Sequence, residues 1–78
     1  MNRLDDARER LARGDAKYQH VAAKHEQYET RLRELQSLRF RNSDEQTETV
    51  NLKKLKLSAK DEMERMVRKA AEATSASA

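Results

Sequence analysis

From Leu4 onward the chain carries a seam of mostly apolar positions: Leu4, Ala7, Leu11, Gly14, Tyr18, Val21, His25, Tyr28, Leu32 and Leu35, with Arg, Glu, Asp, Lys and Gln between them. The spacing alternates between three and four without a break. Such positions fall on one face of an α-helix, and the alternation is the heptad repeat of helices packed side by side. The seam is weak at Ala7 and Gly14. A glycine costs a helix interior about 1 kcal/mol relative to alanine, and Asp15 directly after it is a good N-cap. A break or kink is therefore expected at Arg13-Gly14-Asp15, leaving a short helix over about 3–13 and a long one over about 15–38.

The segment Arg39-Phe40-Arg41-Asn42-Ser43 interrupts the pattern. Ser43 followed three residues later by Gln46 reads as a capping box, and Asp44 and Glu45 suit the positive end of a new helix. That second long helix, over about 44–71, carries Val50 or Leu52, then Leu55, Ala59, Met63, Met66 and Ala70, with Leu57 and Val67 flanking the stripe. Two amphipathic helices joined by a short connection pack as antiparallel neighbours. A turn near 43–44 pairs Leu35 with Leu52, Leu32 with Leu55, Tyr28 with Ala59, His25 with Glu62 or Met63, and Val21 with Met66. A slip of one turn is the competing register. The expected fold is thus all-α: an antiparallel two-helix hairpin with coiled-coil-like packing and a short N-terminal helix. Residues 1–72 form a single domain in this reading. The small residues of 73–78 have nothing to bury and are expected to be a disordered tail.

Composition narrows the picture. Of 78 residues, 36% are hydrophobic and 40% charged, and the aromatics are Tyr18, Tyr28 and Phe40 alone. So little apolar bulk suits an elongated helical object with a narrow buried stripe. One glycine and no proline favour long helices over sheet. Cysteine is absent, which removes disulfides and thiolate metal sites and points to a cytoplasmic location. No apolar run approaches the roughly 20 residues that cross a bilayer, and MNRLDDARER lacks the apolar core of a signal peptide, so no membrane association is expected. The net charge of +3 is a mild basic lean on a mixed surface.

Few residues invite chemistry. His25 interrupts the apolar seam; it is either a pH-sensitive or ligand-binding group, or a structural residue bonded across to Asp61 or Glu62 that fixes register, and the structural role is preferred. His20 lies five residues away, off the same face, so no metal site is expected. Asp61, Glu62 and Glu64 sit on a helix with no cleft to desolvate them, and phosphate-loop and nucleophile motifs are absent, so neither catalytic residues nor a cofactor are expected. Arg13-Gly14-Asp15 matches a cell-adhesion tripeptide by letters only. Towards the turn, Arg39, Arg41, Lys53, Lys54, Lys56 and Lys60 form a candidate basic patch, joined by Arg31 and Arg33 and interleaved with Glu34, Asp44, Glu45 and Glu48. Phe40, with Leu38 and Leu57, either anchors a partner at this end or simply closes it.

Asp15-Ala16-Lys17-Tyr18, Lys24-His25, Leu52-Lys53-Lys54-Leu55-Lys56-Leu57 and Lys60-Asp61-Glu62-Met63 together resemble the YdcH-like family of small bacterial proteins, which carry a domain of unknown function. The resemblance spans about residues 4–68, and the lysine-leucine run is its specific part. It implies a short helical hairpin and assigns no catalytic residue, cofactor or partner. Gly14-Asp15 stands where relatives often have Asn-Pro. The expected function is a small non-enzymatic interaction or regulatory module. It would bind a protein partner, or itself as a homodimer, through a seam of Tyr18, Val21, His25, Tyr28, Leu32, Leu35, Leu52, Leu55, Ala59, Met63 and Met66. The alternative is a nonspecific nucleic-acid-binding accessory protein using the basic end.

Overall fold

The computed structural model describes the backbone of residues 3–76 and the side chains of residues 3–73. Within them the chain is helical apart from two connections: α1 spans Arg3–Gly14, α2 spans Ala16–Gln36 and α3 spans Ser43–Ala76. All three pack together, with the largest interface between α2 and α3 and the next between α1 and α3. The molecule measures 54 × 22 × 17 Å.

Asp15 alone separates α1 from α2. It is extended (φ −108°, ψ 110°), and its carboxylate accepts the Tyr18 backbone N–H at 2.7 Å, capping α2. Gly14 ends α1 without a positive φ, and a Cβ there would meet open space. The break is therefore made by the capping aspartate, with no backbone demand for the glycine.

Between α2 and α3 the chain turns in six residues, and the turn is held by hydrogen bonds. The Ser37 hydroxyl donates to the Glu34 carbonyl at 2.7 Å, and the Arg41 guanidinium to the Leu35 carbonyl at 3.3 Å. The capping box lies one residue before the expected Ser43–Gln46 pair. Asn42 Oδ1 accepts the Glu45 N–H at 2.8 Å, and Glu45 Oε1 accepts the Asn42 N–H at 2.9 Å. Gln46 instead donates its side-chain amide to the Arg41 carbonyl at 3.2 Å. Both registers place an Asn/Ser three residues before a Glu/Gln; asparagine wins because its amide oxygen reaches the N3 donor while the charged Glu45 returns a stronger bond.

Burial divides the core in two. At one end Ala7, Tyr18, Val67 and Ala71 are buried together, with Leu11, Ala22, Met63, Met66 and Ala70 packed around them. At the loop end Leu32, Leu35 and Leu52 are buried against Tyr28. Val21 and Ala59 are buried between these clusters, and Thr49 is buried with its hydroxyl bonded to the Glu45 carbonyl at 2.8 Å.

On α3 the inner stripe is Thr49, Leu52, Lys56, Ala59, Met63 and Met66, a three-four repeat whose members are buried or half-buried. Leu55, expected in the seam, is 46% exposed. Lys56 takes the inward place: it is half-buried, and its ammonium lies 3.4 Å from Glu29 of α2. Val67 and Ala71, read as flanking or unassigned, are buried more deeply than the half-buried Met66 and Ala70, because α1 covers them. α3 also continues to Ala76, through the first residues of the expected tail; residues 77 and 78 lie outside the described residues.

Candidate functional site

Two grooves flank the α2–α3 interface. The larger, about 350 Å³, draws on all three helices: Arg8 from α1; Tyr18, His25 and Glu29 from α2; Lys56, Lys60, Met63, Glu64 and Val67 from α3. Its floor is Tyr18, Met63 and Val67, and its rim is charged. The smaller, about 210 Å³, holds Tyr28, Leu55 and Ala59 with His20 and Glu62 among its walls.

This arrangement separates the residues grouped around His25. His25 is half-buried in the first groove, whereas Glu62 lines the second, and His25 has no hydrogen-bond or ion-pair partner among the described residues. The carboxylate bond expected across the interface is not formed. The polar link between α2 and α3 is made elsewhere, by Arg31 and Glu48. Arg31 Nε donates to one Glu48 oxygen at 2.7 Å and Nη2 to the other at 2.9 Å.

That two-pronged bond holds the Glu48 carboxyl below the ordinary carboxylate value, against the opposing effect of partial desolvation, and raises the Arg31 pKa. A carboxyl depressed in the folded state stabilises the fold fully above its unfolded pKa, about 4.3, and loses that contribution as pH falls through the folded value. The expected result is a pH-dependent gap between the wild type and Glu48→Gln. In urea titrations followed by circular dichroism, it should stay constant near neutrality and close below about pH 4. A gap that persists unchanged to pH 2 would count against the bridge.

The basic residues do not converge on one spot. Lys53 and Lys60 are exposed, have no partner among the described residues and lie seven apart on one face of α3; Lys54 is exposed on the next face; Lys56 turns towards Glu29. Arg39 is exposed in the turn, and Arg41 is held at the Leu35 carbonyl. Between them Phe40 is 85% exposed, so it does not close the end of the core. Among the described residues no three His, Cys, Asp or Glu side chains group as a metal site would require, and no helix is long and apolar enough to cross a membrane.

Sequence reasoning missed Arg31–Glu48, the Asn42–Glu45 box and Thr49. Only the capping box had a local signature, the same i, i+3 pattern one residue earlier. Comparison with known proteins returns no match to a family model, to a curated protein or to a solved structure.

Proposed function

We propose that this chain is a small non-enzymatic interaction module, in which α2 and α3 form an antiparallel hairpin with coiled-coil-like packing and α1 supports one end. It binds a protein partner through helix–helix contact, and the absence of cysteine suits a reducing, cytoplasmic setting. The observation that carries this reading is the pair Val50 and Leu57, exposed on one face of α3, with Leu55 exposed on the other side beside Tyr28 and Ala59. Three large aliphatic residues within about two turns of α3 are 52%, 46% and 60% exposed on a chain otherwise rich in charge. Aliphatic surface on an exposed helix gains by packing against another helix. The likeness of Leu52–Leu57 and Lys60–Met63 to the YdcH-like run supports the hairpin alone, since it implies no partner.

The second reading, nucleic-acid binding, draws on Phe40 standing exposed between Arg39 and Arg41, where a base could stack. Its charge is thinned because Arg31, Arg41 and Lys56 are already bonded within the protein. Capture from lysate with and without nuclease separates the two, together with titration of a labelled single-stranded oligonucleotide. The module reading expects a stoichiometric protein partner that survives nuclease, and no oligonucleotide binding at physiological salt. Recovery that disappears with nuclease, with oligonucleotide affinity that falls steeply with salt and is lost in Phe40→Ala, would replace it with the second reading.

A further inference from the structure

α3 carries a second three-four repeat beside the one that faces α2: Val50, Lys53, Leu57, Lys60, Glu64, Val67 and Ala71. Residues at that spacing share one face of the helix. Its two halves meet different surroundings. Val67 and Ala71 are 3% and 2% exposed because Ala7 of α1 is buried against them, and Leu4 and Arg8 lie beside Glu64 and Val67. Nearer the loop no helix among the described residues lies over the same stripe, and Leu57 and Val50 are 60% and 52% exposed. The groove of about 350 Å³ marks the boundary, with Arg8 at one side and Lys56 and Lys60 at the other. α1 is thus a twelve-residue helix on a stripe that extends beyond it by about 15 Å, from Lys60 to Val50, at the helical rise per residue.

We propose that the uncovered half of this stripe docks an acidic amphipathic helix of a partner protein, lying roughly in line with α1 and about three turns long. Leu57 and Val50 supply the apolar contact. Lys53 and Lys60, which have no partner among the described residues, stand between and beside them. Lys54 and Lys56 add positive charge on either flank, while Lys56 alone of these is offset, by Glu29. A row of unpaired lysines alternating with aliphatic residues is complemented by leucines flanked by glutamates, as e/g charges select partners in coiled coils. The same row repels a helix with basic flanks.

This proposal rests on the interaction-module reading and names the partner class of that function. The probe is a labelled 21-residue helical peptide with leucines on one face and glutamates beside them, compared with the same peptide carrying lysines for glutamates. Fluorescence anisotropy on the full chain should show the acidic peptide bound at least tenfold more tightly than the basic one. Leu57→Asp should weaken the acidic peptide at least tenfold. The Lys53→Glu, Lys60→Glu double substitution should reverse the preference. All three positions are exposed, so helicity by circular dichroism should be unchanged, and Leu57→Gln serves as a second probe if it is not. Equal binding of both peptides, no binding of either, or binding insensitive to Leu57→Asp overturns the proposal. A wild-type dimer in sedimentation that dissociates in Leu57→Asp also overturns it, since a second copy then covers the stripe. If the stripe fails while the wild type and Leu57→Asp both capture a nuclease-resistant partner, the module reading survives; if the wild type captures none, both fall.

Discussion

Replacing Leu35 by alanine will remove most of the stability of this chain. Leu35 is the largest fully buried side chain, 0% exposed, and it joins Leu32 and Leu52 at the loop end. Truncating a buried leucine costs about 2–5 kcal/mol, part lost transfer energy and part residual cavity. A core as thin as this one rarely provides more than about 3–5 kcal/mol in total. The two magnitudes overlap, so the variant should be substantially unfolded near 37 °C, while Leu57→Ala, at an exposed position, should stay within about 0.5 kcal/mol of wild type. Urea titrations followed at 222 nm test both. A Leu35→Ala midpoint displaced by the equivalent of less than about 1 kcal/mol would mean that the loop-end cluster does not hold α2 to α3.

Ala7→Arg should have the second largest effect, and a localised one. Ala7 is fully buried against Tyr18, Val67 and Ala71, in a space sized for a methyl group. A long cation there is both overpacked and stripped of water, at a cost above the roughly 1–3 kcal/mol of overpacking alone. The cheapest relief is for α1 to leave. A detached helix of 12 residues is marginal in water, so its helicity should be lost as well. Hydrogen exchange should then show protection lost over α1 and over the stretch of α3 around Val67 and Ala71. The amides near Leu32, Leu35 and Leu52, in the separate loop-end cluster, should remain protected. Equal loss at both ends would show that the two clusters form one cooperative unit. Unchanged protection of α1 would show that it is not held through Ala7.

The α2 face was readable from the chain because its evidence is local. Tyr18, Val21, Leu32 and Leu35 recur with the helical period among polar neighbours, and all four are buried. A helix with one apolar stripe has one way to hide it. The candidate surface was only partly readable. Val50, Leu55 and Leu57 are conspicuous letters, but which of them is covered depends on helices elsewhere in the chain. His25 illustrates the limit: its position in the seam was clear, yet its neighbours come from α1 and α3, and Glu62 fell into the opposite groove.

By itself, then, the sequence determined that the chain is helical, where α1 gives way to α2, and which side of α2 turns inward. Period, capping and the lack of competing turn residues are properties of neighbouring residues. Only the tertiary structure decided which faces of α3 are used. That helix carries apolar residues on several sides: Leu52 and Ala59 on one, Val67 and Ala71 on another, Val50 and Leu57 continuing the latter. Its own pattern cannot choose among them. The choice is made by where α2 and α1 lie: Lys56 faces Glu29 of α2 while Leu55 is exposed, and among the described residues α1 buries Val67 and Ala71 but leaves Leu57 exposed.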